Sequence, residues 1–383
     1  MNKPLQIALF TYSTKPRGGV IHTIELAEAL QKLGQEVCIF ALDKDNLGFH
    51  RSISCHAKLV PTKSAPQSID ELIKQRIQEF IDYLVEEKTQ YDIYHSQDCI
   101  SANALKILRD KGIISGFIRT VHHIDEFNSF YLQECHDRSI VEPNLCLCVS
   151  NYWQQQIQQQ YKVSAPIIIN GINLEKFSGK ANGLENKLKQ RLGIRKNNPV
   201  YLSIGGIEPR KNSLKLLEAF YQVLKIYPQA QLIIAGGDTL FDYKPYRMEF
   251  FGLVEEYSIT LGESLILPGV MTDKEIPVLY RCADAFVFPS VKEGWGLVLL
   301  EAIASEIPVI TSNIAPFTEF LTKDSALLID PHSSQDISQA MLKVLDKEVE
   351  QKLIHNTSNI ASQYSWLKSA QMHLDLYQQF VTS

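Results

Sequence analysis

Along the chain, short runs of consecutive apolar residues alternate with longer stretches in which apolar residues recur every third or fourth position. The first pattern fits strands buried on both faces of a parallel sheet, and the second fits helices that cover such a sheet. Strands are predicted at 5–10, 37–42, 93–95, 116–121, 145–149, 166–169, 200–204, 231–235, 265–267, 285–288, 308–311 and 326–329. Helices are predicted at 20–33, 69–87, after Asp98 through about 111, at 153–160, ending near 192, and at 213–227, 273–281, 297–304, 335–345, 348–363 and 366–380. The alternation predicts an α/β fold of two doubly wound halves, each a set of strands joined by crossover helices. A chain of 383 residues exceeds one ordinary core. Asn170-Gly171 makes the turn at which the halves divide.

Four strand ends carry candidate chemistry. The most informative is Pro289-Ser290-Val291-Lys292-Glu293-Gly294-Trp295-Gly296-Leu297, after the apolar run Ala285-Phe286-Val287-Phe288. Two glycines permit close approach of a ligand, and the helix that follows offers unpaired N–H groups and a positive dipole end to an anion. Glu293 and Glu301, eight positions apart, can accept hydrogen bonds from hydroxyls. Phosphate and hydroxyls together describe a sugar nucleotide. A second anion-binding loop is Gly205-Gly206-Ile207-Glu208-Pro209-Arg210-Lys211, with two cations at a helix start. At the first strand end, Gly18-Gly19 is either a phosphate loop or a tight βα turn. It lacks the third glycine of the dinucleotide fingerprint and the lysine of a P-loop. At the end of 116–121, His122-His123-Ile124-Asp125-Glu126 invites a metal reading. Adjacent residues of an extended chain point to opposite faces, so a single cleft-facing histidine fits better. Asp43-Lys44-Asp45 reads as a solvated loop, and strand 231–235 ends at Gly236-Gly237-Asp238.

Composition narrows the function. The chain is 45% hydrophobic and 21% charged, with a formal charge of −5. Neither side of Asn170 carries a basic excess, which argues against nucleic acid and against strong attraction to anionic lipid. No apolar run is long enough to span a bilayer, and no basic region with an apolar core and cleavage site opens the chain. The seven cysteines lack metal-ligand spacing and read as free thiols of a reducing cytoplasm.

These motifs, taken together, resemble a glycosyltransferase of GT-B architecture, and more closely the retaining glycosyltransferase family 4, the glycosyl transferases group 1. The likeness spans nearly the whole chain. It rests on Glu293 and Glu301 with Gly294, Gly296 and Leu297 between them, and on Gly18-Gly19, Thr120 with His122, Asn170-Gly171-Ile172, Gly205 with Lys211-Asn212, and Pro316 with Glu319. The resemblance implies two facing Rossmann-like domains with a cleft between them. Residues 1–170 would form the acceptor-side domain, 171–362 the nucleotide-sugar-binding domain, and 363–383 a terminal helix crossing back to the first. It implies that Glu301 holds the ribose, Glu293 the transferred sugar, and the backbone at Gly296, Leu297 and Val298 the diphosphate. Lys211 would neutralise the departing phosphate, with Arg210 beside it. Gly205 would belong to the same loop, and the base would lie against Gly269 and Val270. Gly18 and Gly19 would admit the diphosphate from the first domain, and His122 would sit beside the anomeric carbon. His95, Asp98, His122, His123 and Asp125 are expected to line the acceptor side.

The sequence departs from the family pattern in four places. Gly206 stands where arginine is frequent, Trp295 where phenylalanine is common, and Asn173 and His123 where aspartate is frequent. The implied reaction is metal-independent, cofactor-free, retaining transfer from a UDP- or GDP-linked sugar to a hydroxyl by a front-face route. The expected acceptor is a small molecule or glycan rather than a lipid. A sugar-nucleotide epimerase would need acid/base carboxylates beyond Glu293, and a non-catalytic scaffold would not need Lys211, Glu293, Glu301 and His122 together.

Overall fold

The computed structural model describes residues 3–237 and 243–382; Asp238 of the third glycine turn lies outside them. The chain divides into two compact units, Met1–Gly171 with Tyr364–Ser383, and Ile172–Gln363.

In chain order the first unit holds β1 (Gln6–Thr11), α1 (Gly18–Lys32), β2 (Glu36–Asp43), β3 (His56–Pro61), α2 (Ile69–Glu86), β4 (Ile93–Ser96), α3 (Cys99–Asp110), β5 (Ile118–Val121), α4 (Phe130–Val141), β6 (Leu145–Cys148) and α5 (Asn151–Tyr161). The strands pair in parallel in the order β3-β2-β1-β4-β5-β6. Ile7, Ala8, Leu9 and Phe10 are all fully buried, as a strand covered on both faces requires. The helices are half apolar. Ile73, Ile77, Phe80, Ile81 and Leu84 of α2 fall on one stripe and pack with Phe10 and Phe40.

The second unit follows with α6 (Glu185–Leu192), β7 (Val200–Ile204), α7 (Ser213–Leu224), β8 (Gln231–Ala235), α8 (Lys244–Glu256), β9 (Leu265–Gly269), α9 (Ile276–Tyr280), β10 (Ala285–Phe288), α10 (Leu297–Ala304), β11 (Val309–Ser312), β12 (Leu327–Ile329), α11 (Ser334–Lys343), α12 (Lys347–Thr357) and α13 (Ile360–Gln363). Its strand order is β12-β11-β10-β7-β8-β9. Tyr201, Phe220, Leu232, Phe250 and Met341 lie in its core. The last helix, α14 (Trp366–Thr382), belongs to the first unit and packs on α1. Gly171 is obligatory there, because a β-carbon would collide with the backbone nitrogen of Trp366.

Numbered from its own first strand, each sheet runs 3-2-1-4-5-6. The strand order therefore reverses between β1 and β4 and again between β7 and β10. Open α/β sheets bind ligands at the carboxyl ends of the strands flanking such a reversal.

Several elements differ from the sequence expectations. The predicted strand at 166–169 is only an isolated bridge, Ile167 to Cys148. The strand β3 and the helices α4 and α8 were not expected, and 348–363 splits into two helices. Asp43-Lys44-Asp45 is not a solvated loop: Asp43 ends β2 buried and accepts from the N–H of Gly48 at 3.2 Å, while Lys44 is half-buried over the ring of Tyr12. All seven cysteines are free thiols.

Candidate functional site

In the second unit the loops leaving β7, β8 and β10 converge on one group of side chains. Gly205 and Gly206 follow β7 with φ of 138° and 78°. Gly236 follows β8, and a β-carbon on it would collide with the backbone of Gly206. A β-carbon on Gly206 would in turn lie 3.0 Å from the carbonyl oxygen of Gly237. The two turns thus cross backbone to backbone, and this crossing, with the positive φ, accounts for glycine at 206 in place of arginine.

The cations of this loop come from the next turn. Pro209–Lys211 is a short 3-10 turn. Asn212 closes it in the left-handed region at φ 58°, and its Nδ2 donates to the carbonyls of Pro289 at 3.1 Å and Pro331 at 2.6 Å. That tie fixes the β7 loop to the β10 loop. The Lys211 side chain runs across Gly205 and places Nζ 4.7 Å from the centre of the Phe288 ring. Lys211 Nζ and Arg210 Nη1 each lie 2.6 Å from Oε1 of Glu293. Ser290 Oγ lies within hydrogen-bond distance of the same oxygen, at 2.9 Å, and of the Arg210 carbonyl, at 2.8 Å. Burial alone would raise the Glu293 carboxyl, but Arg210 and Lys211 override it and hold it down at about 2. Burial also pulls the Lys211 ammonium below the usual lysine value, with Glu293 opposing.

Gly296 caps α10 at φ 105° and is packed against Leu299 and Phe317, each 3.0 Å from where its β-carbon would be. Leu297 and Val298 form the first turn, whose N–H groups lack intrahelical partners and carry the positive dipole end. One turn further, Glu301 accepts from the phenol of Tyr280 at 2.8 Å. Burial, and then Glu301 itself, push that phenol well above its ordinary range, so it remains a donor. Gly269 ends β9 at φ 72°, its carbonyl accepts from Gly236 N at 2.9 Å, and Val270 beside it is half exposed.

In the first unit Gly18 and Gly19 form the first turn of α1 rather than a loop before it. A β-carbon on Gly19 would sit 3.9 Å from Cδ2 of His122, so the structure brings these two predicted residues together. His122 follows β5, its Nε2 is 3.0 Å from Oε1 of Gln97, and its ring meets that of His22 edge-on at 4.8 Å. His22 Nδ1 pairs with Oδ1 of the buried Asn170 at 2.8 Å. Burial first, then the neighbouring His22 and Arg119, push His122 well below the ordinary histidine range, so it is neutral. His123 pairs instead with Asp125 at 2.9 Å. Among the described residues no group of three or more His, Cys, Asp and Glu side chains could hold a metal ion.

The expected residues therefore fall into two sets, one in each unit. Gly18, Gly19 and His122 lie in the first, and Gly205, Arg210, Lys211, Gly269, Val270, Glu293, Gly296, Leu297, Val298 and Glu301 in the second. His95 does not line a surface as expected: it is fully buried, 2.6 Å from Tyr377 Oη and 2.8 Å from Thr120 Oγ1. Asp98 caps α3, accepting from Ser101 N at 2.8 Å. Sequence reasoning missed Tyr280, Ser290, Gln97 and His22. Ser290 stands inside the legible motif, whereas Tyr280, Gln97 and His22 acquire their contacts only through the fold.

Comparisons with known proteins point one way. Residues 185–363 match the family described as Glycosyl transferases group 1, and residues 16–176 match Glycosyltransferase Family 4. An uncharacterized glycosyltransferase of Methanocaldococcus jannaschii is 23% identical over 97% of this chain and 98% of its own. Sucrose-phosphate synthase of Thermosynechococcus elongatus superposes with a TM-score of 0.80 at 22% identity, over 98% of this chain and 99% of the other. HepE of Anabaena in complex with UDP-glucose superposes with a TM-score of 0.79 at 18% identity, over 98% of this chain and 100% of the other. Among the described residues no helix is long and apolar enough to cross a membrane.

Proposed function

Because the chain belongs to glycosyltransferase family 4, the glycosyl transferases group 1 with the GT-B fold, we propose that it is a retaining, metal-independent transferase that moves a sugar from a UDP- or GDP-linked donor to an acceptor hydroxyl. The observation that carries this reading is the convergence of Lys211 and Arg210 on one oxygen of Glu293 beside the start of α10. Two cations and a helix N-terminus are suited to the negative charge that develops on a leaving diphosphate. A diphosphate carries more charge than the carboxylate and draws both cations toward itself, freeing Glu293 for the hydroxyls of the transferred sugar. Glu301, oriented by Tyr280, holds the ribose. The backbone at Gly296, Leu297 and Val298 meets the diphosphate, and Gly269 and Val270 receive the base. Gly205 gives Lys211 its path. His122, Gly18 and Gly19 serve the donor from the first unit.

The bond from the anomeric carbon to the diphosphate oxygen breaks, and the acceptor oxygen forms its bond on the same face. The acceptor's proton passes to the leaving diphosphate, so no separate base is needed. Cations of the protein take the part that a metal plays elsewhere. A UDP-linked donor is favoured by the structural relative holding UDP-glucose.

The test is thermal shift against UDP-, GDP- and ADP-sugars, followed by NMR of the product formed with candidate acceptors in chelator. At one hundred times its dissociation constant a true donor stabilises by about 2.7 kcal/mol. Retained anomeric configuration, undiminished by chelator and lost in Lys211→Ala and Glu301→Ala, supports the reading. No shift with any nucleotide sugar, or an inverted product, overturns it.

A further inference from the structure

Four cations gather at the carboxyl ends of β1 and β2. Lys15 and Arg17 lie on the loop from β1 to α1, Lys44 directly follows β2, and Arg76 lies on α2. Two of them have a carboxylate. Arg76 Nη1 donates to both oxygens of Glu79, at 2.8 and 2.7 Å, and Lys15 lies 3.6 Å from Asp45, the two side chains being 50% and 28% exposed. Arg17 pairs with the hydroxyl of Tyr12. Lys44 differs from these. It is half-buried, its Nζ lies 4.8 Å from the centre of the Tyr12 ring, and among the described residues it forms no hydrogen bond or ion pair. The ring holds the ammonium in place without neutralising it.

The charges around Lys44 do not compensate it either. Those acting on it are Arg76, Arg17, Asp98 and Lys15, three cations to one acid. The acid is committed elsewhere: Asp98 caps α3, accepting from the N–H of Ser101 at 2.8 Å and from its hydroxyl at 3.0 Å. Burial raises its carboxyl, which weakens its charge. Burial first, then Arg76 and Arg17, push the Lys44 ammonium down to about 8. Keeping an ammonium half-buried without a carboxylate is unfavourable for the fold alone. Arg76 is also used from one side only. All three of its hydrogen bonds leave from Nη1, and its Nε is buried without a partner.

We propose that Lys44, with Arg17, Arg76 and Lys15 around it, receives a phosphate monoester carried by the acceptor, so that the acceptor is a phosphorylated sugar. This names the acceptor class of the transfer proposed above and rests on it. A phosphate monoester brings two negative charges and three oxygens, which an excess of cations can share. The place fits. Arg17 caps α1, whose first turn is Gly18 and Gly19. β2 pairs with β1, and neighbouring strands lie about 4.8 Å apart. The charged end of the acceptor therefore lies beside the donor's ground and not within it.

The experiment is calorimetric titration of the full chain at pH 7 and constant ionic strength. The probes are inorganic phosphate, the 6-phosphates of glucose, mannose and fructose, the three parent hexoses, and glucuronate. Inorganic phosphate and one or more of the hexose phosphates are expected to bind, the latter at least about tenfold tighter than the parent hexose, the worth of one hydrogen bond to a charged group. Lys44→Gln should weaken that binding at least about tenfold, and Lys44→Arg, which keeps the charge, should hold it within about threefold. Lys211→Ala should leave it unchanged, because the acceptor phosphate does not use the donor loop. Equal affinity in Lys44→Gln, loss of binding in Lys211→Ala, tighter binding of glucuronate, or no binding of any phosphate overturns the proposal. If Lys44→Gln does not fold, Lys15→Gln at its half-exposed position decides, with an expected loss of about threefold, and no loss overturns. None of these titrations contains a nucleotide. A failed donor panel would therefore count against the proposed function and leave this readout intact.

Discussion

The side chain of Lys211 crosses Gly205 so closely that a β-carbon on Gly205 would sit 2.6 Å from Lys211 Cε and 2.9 Å from Cδ. Gly205 also holds φ 138°, a conformation that side chains rarely adopt. Gly205→Ala therefore strains the turn by about 1–3 kcal/mol and pushes Lys211 off its path. Donor turnover is expected to fall about a hundredfold, the scale of losing one charge-stabilising donor. Gly193→Ala is the control: its φ is 70° but its nearest neighbour is 3.6 Å away, so it should lower the melting temperature without the kinetic loss. Paired melts and initial rates of the two variants check this. Equal rates in both would detach Lys211 from the chemistry.

The contact between Tyr280 and Glu301 predicts a different kinetic signature. Tyr280→Phe keeps the ring in the core and removes the hydrogen bond to Glu301 Oε2, which is 2.8 Å long. A single such bond is worth about 1–1.4 kcal/mol, so donor affinity should weaken about fivefold to tenfold while turnover at saturating donor holds. Titration with nucleoside diphosphate, compared with the nucleobase-free sugar phosphate, separates the ribose contribution. A fall in turnover with unchanged affinity would place Glu301 elsewhere in the reaction.

Glu293, Lys211 and Arg210 predict a third outcome. Replacing Glu293 by alanine leaves two cations at one site without their shared carboxylate, and the side chains of Lys211 and Glu293 are only 13% and 11% exposed. Breaking such a pair costs about 3 kcal/mol. A nucleoside diphosphate should compensate, so its thermal shift should be larger in Glu293→Ala than in the wild type, although transfer is lost. A smaller shift in the variant would mean that the cations do not meet the diphosphate.

These contacts show what the sequence could and could not announce. Glu293 and Glu301 were readable because the strand, the glycines and the helix that use them lie within one continuous stretch, and local chain geometry sets their positions. The same holds for Gly205 with Lys211. The edge strand β3 was missed because only Val60 of its six residues is buried and Pro61 ends it, so no apolar run marks it. The helix α4 was missed because Leu132, Cys135, His136, Ser139 and Ile140 make its buried side, a set too polar to register as a stripe. Pro166 to Ile169 carries the apolar residues of a strand but finds a partner at one residue only. His95 looked like a ligand residue because histidine at a strand end is often exposed. Its partner Tyr377 is 282 positions away, and only the docking of α14 on the first unit buries it.

The histidines beneath α1 and α14 give the first unit an acid limit. Burial pushes His22 down to about 4 and His373 to about 3; Asn170 on His22 and the Ser369 carbonyl on His373 oppose the shift. An unfolded histidine titrates near 6.5. Above that value both states are unprotonated and the stability is fully present. As pH falls from 6.5 toward 4, the unfolded chain binds protons that the folded chain refuses, so stability drops with each step of acid. For His22 alone the loss across this window is about 3 kcal/mol. Urea midpoints measured from pH 7.5 to 4.5 should therefore decline, with the steepest change below pH 6. His95, His122 and His136 of the same unit are pushed down by burial as well, so His373→Leu removes one contribution among several and should make the decline shallower without abolishing it, even if it lowers stability at pH 7.5. An unchanged slope in that variant would show that His373 takes up protons equally in the folded and unfolded chain, and that its burial under α14 sets no acid limit.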